Sequence, residues 1–118
     1  MRYFDAHRGR PGLPEDVAAF VDRINGHGAG VQLVNLSTEH ERVVILQAGT
    51  FGEHTFKTAS VRGHGPQQEV AINGKYFAIA LPPSTAVEID AGMDRFMNQP
   101  SYAFPWHADG IPVPFQEA

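Results

Sequence analysis

Six histidines, His7, His27, His40, His54, His64 and His107, are the side chains of this sequence best suited to hold a metal or pass a proton. A metal site needs two to four donors converging on one point, and such donors usually keep a recognisable spacing. No H-x-H, H-E-x-x-H or His-x3-His pair occurs. The weak metal candidates are His54, beside Glu53, together with His64, and His107, which could share one strand face with Asp109 at i, i+2. A cupin-type barrel would need a histidine pair on one strand and a third histidine later, and the pair is missing. The expectation is that His7, His27, His40 and His64 sit in polar loops and His54 at a strand edge. No metal or other cofactor is therefore expected.

Nucleophilic and acid–base chemistry is no better marked. Ser37, Ser60, Ser84 and Ser101 lie in neither G-x-S-x-G nor S-x-x-K, so nothing designates an activated hydroxyl. Ser84 follows two prolines and reads as a turn residue. Glu39/Glu41 and Glu88/Asp90 are each two apart; acids alternating along one sheet face ordinarily keep that face in water. Glycosidase chemistry instead needs two carboxyls across a cleft. Gly26-His27-Gly28-Ala29-Gly30 is rich in glycine but opens no helix, so it lacks the context of a phosphate loop. No catalytic residue is assigned, and the reading leans away from an enzyme.

The aromatic residues near the C-terminus make a better surface candidate. Tyr102, Phe104 and Trp106 alternate, so in extended chain they share a face. Flat rings can stack on the CH face of a pyranose, while His107, Asp109, Gln99 and Asn98 could take its hydroxyls. The competing use of the same rings is to plug the open end of a small core. Tyr102, Phe104, Trp106, His107 and Asp109 are thus the candidate ligand-binding residues, with carbohydrate as the candidate ligand.

These residues need a scaffold, and the pattern of the chain points to strands. VQLVNL (31–36), RVVILQA (42–48), HTFKTASVR (54–62), EVAI (69–72), KYFAIAL (75–81) and TAVEIDA (85–91) are separated by turn residues, the spacing of an all-β sandwich or barrel. Val43-Val44-Ile45-Leu46 does not alternate, which predicts a central strand covered on both faces. Phe77, Ile79 and Leu81 alternate with alanines, and Val87 and Ile89 with Glu88 and Asp90. Asn73-Gly74 predicts a two-residue hairpin. Gly49 and Gly52 bracket a bend, and Pro82-Pro83 forces a corner. Pro100, Pro105, Pro112 and Pro114 confine the last stretch to edge pieces and extended tail.

Ahead of the strands, Val17, Phe20, Val21 and Ile24 recur at i, i+3, i+4 and i+7 behind Pro14, Glu15 and Asp16, which predicts an amphipathic helix over 14–25 ended by Asn25-Gly26. Its apolar stripe should be buried; exposure would mark a missing partner. The expected fold is a small antiparallel β-sandwich, immunoglobulin-like in outline, with one short N-terminal helix. The 118 residues form a single domain: coil or linker over 1–13, helix over 14–25, sandwich over 31–115.

Composition trims the list of functions. The net charge is −4 and the nearest basic group, Arg2, Arg8 and Arg10, is scattered, which speaks against nucleic acid. The absence of cysteine excludes disulfides and thiolate chemistry. The sequence has neither a membrane-length apolar run nor the apolar core of a signal peptide, so a soluble chain is expected, with no membrane partner and no assigned compartment. Asn35-Leu36-Ser37 matches a glycosylation acceptor.

Val34-Asn35-Leu36, Arg42-Val43 and Leu81-Pro82-Pro83-Ser84-Thr85 together resemble the C-terminal β-sandwich accessory domains of bacterial glycoside hydrolases and similar modular enzymes, over roughly residues 31–97. The resemblance implies a non-catalytic accessory or interaction module, associated with carbohydrate-processing enzymes. It would pack on a catalytic or neighbouring domain or on a second copy. Three other readings stay open: a carbohydrate-binding module using the aromatic face, a small cupin-like or β-barrel metal-dependent enzyme, and a homodimer that pairs edge strands.

Overall fold

The computed structural model describes the 118-residue chain except residues 26–27, 50–51, 64–66, 95–97, 99–104, 106–113 and 117–118. Ten strands are described: β1 (Arg2–Asp5), β2 (Arg10–Pro11), β3 (Val17–Asn25), β4 (Gly28–Asn35), β5 (Arg42–Gln47), β6 (Thr55–Arg62), β7 (Gln68–Gly74), β8 (Tyr76–Leu81), β9 (Ala86–Asp94) and β10 (Pro114–Gln116). They form two five-stranded sheets. Sheet I has the order β10-β8-β5-β1-β2 and sheet II the order β3-β4-β9-β6-β7. All pairings are antiparallel except β10 on β8, which is parallel. The orders differ from the immunoglobulin arrangement of a four-strand and a three-strand sheet.

The core lies where the sheets face each other. Leu33, Val31, Ile89, Val87, Phe56 and Val61 from sheet II meet Val44, Leu46, Phe77, Ile79 and Leu81 from sheet I, with the Phe56 and Phe77 rings edge to face at 5.3 Å. The unbroken apolar run 43–46 has the position its composition requires. β5 is the middle strand of sheet I; Val44 and Leu46 belong to the inner core, and Val43 and Ile45 to a second cluster with Phe4, Ala78 and Ala80 on the opposite face. β9 alternates as expected, Val87 and Ile89 inward, Glu88 and Asp90 in solvent.

The N-terminal helix is absent. Among the described residues there is no helix, and residues 17–25 are strand β3, paired with β4 from Val17 opposite Asn35 to Asn25 opposite Gly28. The helical spacing of the apolar residues has a physical origin in this strand. Its register shifts between Val21 and Arg23, so that Asp22 is an extra residue in the ladder. Val17, Ala19 and Val21 lie on the inner side by simple alternation. The extra residue then delays the next inner position to Ile24, opposite the inward Ala29. A period of two interrupted by one bulge thus reads as 17, 21, 24, which imitates a helix. The β3–β4 ladder accordingly runs on to Asn25 opposite Gly28, where a helix end was expected.

Asn73-Gly74 also does a different job from the expected hairpin. Both residues end β7, which belongs to sheet II, and the chain passes through Lys75 to β8 in sheet I. Asn73 still adopts a positive φ of 51°, which is what makes it a turn signal.

Candidate functional site

The described surface divides into a polar corner, a charged outer face and one apolar edge, each built by specific residues. At the corner, β4 ends at Asn35, whose side chain is 0% exposed. Its Nδ2 donates to the carbonyls of His40 at 2.9 Å, Leu81 at 2.9 Å and Pro82 at 3.2 Å, and its Oδ1 accepts the Ser37 N–H at 3.0 Å. The Ser37 Oγ accepts the N–H groups of Glu39 and His40. The Ser37 carbonyl accepts the Ser84 N–H at 2.8 Å. One amide and one hydroxyl therefore stitch the end of β4, the start of β5 and the Pro82–Thr85 turn together. The glycosylation reading of Asn35 is corrected by this geometry, since the acceptor nitrogen is buried and committed. Ser84, with φ 55°, is the turn residue expected from its prolines.

On the outer face of sheet II, the carboxylates Glu88 and Asp90 pair across strands with Arg62 and Arg23, and Lys57 pairs with Asp94 at 3.3 Å. Gly30 makes the Arg23 pairing possible. A Cβ there would meet Asp22 Oδ1 at 2.6 Å and Arg23 Nε at 2.9 Å, so both bulge side chains fold over the bare backbone of β4 and Arg23 reaches Asp90 on β9. A shallow trough of about 320 Å³ runs beside them, lined by Thr58, Ser60, Glu69, Gly28 and Gly92. The cross-strand pairs of this face neutralise one another, which is how an exposed sheet face stays in water.

The apolar edge is β3. It flanks sheet II on the side away from β7, and no neighbouring strand covers its outer side among the described residues. Phe20 is 64% exposed, Ile24 75% and Val21 40%. The expected burial of this stripe is therefore overturned along with the helix. Phe20 stands on the outer face beside Gln32, while Val21 and Ile24 stand on the inner side. There they form the lip of an apolar groove of about 260 Å³ with Met1, Ala29 and Met93. The groove is too small and too open to enclose a drug-sized ligand.

Gly49, Glu53 and His54 complete the lining of that groove. His54 is 7% exposed and its Nε2 lies 3.5 Å from Glu53 Oε1. The loop that presents them is fixed by amides. Gln47 donates to the Gly49 carbonyl, and Asn98 donates to the carbonyls of Gly52 and His54 and to Thr55 Oγ1. Gly49 and Gly52 hold positive φ angles of 86° and 68°. No group of three histidine or acidic side chains that could hold a metal occurs among the described residues. The described lining of the groove also includes no hydroxyl nucleophile.

Of the candidate site residues read from the sequence, only His54 falls in this site. His64, His107, Tyr102, Phe104, Trp106 and Asp109 lie outside the described residues. His7 is in an exposed turn, where its N–H donates to Asp5 Oδ1, and His40 is exposed beside Glu39. Phe20, Val21 and Ile24 stand out in the sequence as a helical stripe, and the structure makes them an edge instead. Three large apolar residues within five positions, flanked by Gly26 and Gly28, are the available signal. No helix of the described residues is long and apolar enough to cross a membrane. Compared with known families, with curated proteins and with solved structures, the chain gives no match.

Proposed function

We propose that this chain is a non-catalytic interaction domain that receives an extended segment of another polypeptide along β3. The observation that carries this reading is the exposure of Phe20, Val21 and Ile24 on a nine-residue edge strand. Full burial of such side chains is worth roughly 1.5–3 kcal/mol each, and a folded chain that leaves three of them together in solvent forgoes that stabilisation. Sheet edges left long and apolar invite strand addition. The other edges of this molecule are protected. β2 has two residues and includes Pro11, β10 has three and begins with Pro114, and β7 exposes Glu69, Ala71 and Asn73. Apolar side chains stand on both sides of β3, so an added strand would cover both, its backbone pairing with β3 and its side chains packing above and below.

The link to carbohydrate-processing enzymes rests on resemblance alone. Its motif residues, Asn35 and the Leu81–Thr85 turn, build the corner described above and bind no ligand there in this reading.

Titration of the isotope-labelled chain with a panel of extended peptides of alternating polar and apolar residues tests the proposal. Saturable amide shifts confined to β3 and β4 are expected. A chain that stays monomeric and shows no such shifts with any peptide would refute it.

A further inference from the structure

We infer that the occupant of the β3 edge is β3 of a second copy, paired antiparallel about a two-fold axis between Asp22 and Arg23. This rests on the reading of β3 as a docking edge and adds the partner and the register. The sequence of the edge is self-complementary there. Val21-Asp22-Arg23-Ile24 reads apolar, acid, base, apolar. In an antiparallel pair centred between residues 22 and 23, Val21 faces Ile24 of the other copy, Asp22 faces its Arg23, and both pairs recur by symmetry. A two-fold interface demands that kind of reciprocity.

The faces agree as well as the order. Val21 and Ile24 are both on the inner side, at the lip of the groove with Met1, Ala29 and Met93. Asp22 and Arg23 both lie over Gly30 on the outer side. An axis perpendicular to the sheet keeps inner with inner and outer with outer, so the apolar residues meet each other and the charges meet opposite charges. A regular strand could not do this, because positions 21 and 24 would then point to opposite faces. The bulge that puts them on one side is present in both copies, so each copy's extra residue, Asp22, faces the other's Arg23 and the ladder stays in count. Arg23 already lies near Asp22 at 3.6 Å and pairs with Asp90. On pairing, Arg23 turns from Asp90 to the second copy's Asp22, and Asp22 swings from over Gly30 to the edge.

The test is sedimentation of the full chain over a wide concentration range, with D22R, R23D, the double variant D22R/R23D, and I24K. Wild type should dimerise. D22R sets arginine against arginine and R23D sets aspartate against aspartate; each should raise the dimer Kd on the order of 100-fold. The double variant restores opposite charges and should recover dimer. A mixture of D22R with R23D should form a heterodimer, since every facing pair is then opposite in sign.

I24K changes a side chain that is 75% exposed, so it should fold and yet be monomeric. It keeps the test decisive if R23D, which brings a second carboxylate up to Asp90, unfolds. A wild type that is monomeric throughout overturns the self-pairing, and the peptide titration of that monomer then judges the docking edge separately. A dimer indifferent to I24K and to the charge exchanges overturns the register.

Discussion

The Asn35 corner and the β3 edge begin within a few residues of each other and treat polar and apolar groups in opposite ways. Leu36 N–H donates to the Asp16 carbonyl at 2.7 Å, and Arg42 pairs with Asp16 at 3.2 Å, tying the entrance of β3 to the corner. At the corner, polar atoms are drawn inside and find partners; further along β3, apolar atoms are pushed outside and find none among the described residues. Buried hydrogen bonds are local and directional, so one asparagine can fix three chain segments at once. Apolar burial needs a covering layer, and along this half of β3 none is described. The comparison separates what makes the chain fold from what it has left over to offer.

Removing the corner should have the largest effect. Asn35→Ala would take the amide from the carbonyls it bridges and the acceptor from the Ser37 N–H, and an expected loss of about 4 kcal/mol follows from the cost of unsatisfied buried groups. Urea unfolding measures it; a loss under about 1 kcal/mol would mean that the corner is not what holds the sheets in place.

Gly49→Ala probes the loop behind the groove. The position has φ 86°, and a Cβ would lie 2.5 Å from Glu53 Oε1. A destabilisation of about 2 kcal/mol is expected, read by thermal melting, together with displaced His54 ring resonances. Unchanged His54 signals would show that Glu53 and His54 do not depend on this backbone.

Tyr3 tests the core between the two regions. Its side chain packs on the inner cluster, and its hydroxyl has no hydrogen-bond partner among the described residues. Tyr3→Phe should therefore stabilise the chain by about 1 kcal/mol. Burial pushes the Tyr3 phenol up, so the folded chain keeps its proton to higher pH than the unfolded chain does. The stability linked to this group is complete below about pH 10 and is lost as pH rises through the folded-state titration. Stability curves of Tyr3→Phe should fall less steeply above about pH 10 than those of the wild type. Tyr76, also raised by burial and lowered by nearby Arg2, accounts for part of the remaining slope.

The smallest effect on stability should come from the edge itself. Phe20→Ser is expected to change the unfolding free energy of the monomer by no more than about 0.5 kcal/mol, as exposed substitutions usually do, while weakening strand addition at β3. A large destabilisation would show that Phe20 is packed after all and would erase the contrast with Asn35.

The strands from 31 to 94 are legible in the sequence because burial imprints itself on their composition. β5 shows it as an unbroken apolar run, β8 as large residues against alanine, β9 as apolar against acid. β3 misleads because periodicity arguments assume an uninterrupted ladder, and the extra residue at Asp22 breaks that assumption. Asn73-Gly74 misleads because a turn residue specifies φ and not which strand comes next. The candidate site is half visible. The apolar residues of the edge stand out, but their exposure depends on strand order in sheet II, which no local pattern encodes. Glu53 and His54 meet the groove only through long-range packing, and the amides that hold their loop, Gln47 and Asn98, carry no motif.

The surplus residue in β3 also makes the strand tolerant of loss. Deleting Asp22 would leave Val21 inward, Arg23 outward and Ile24 inward in ordinary alternation, with Asn25 still opposite Gly28. A relative one residue shorter at this point would keep the same fold and hairpin. It would nonetheless have lost the acid–base palindrome, so that a single codon separates two molecules alike in architecture and different in the company they keep.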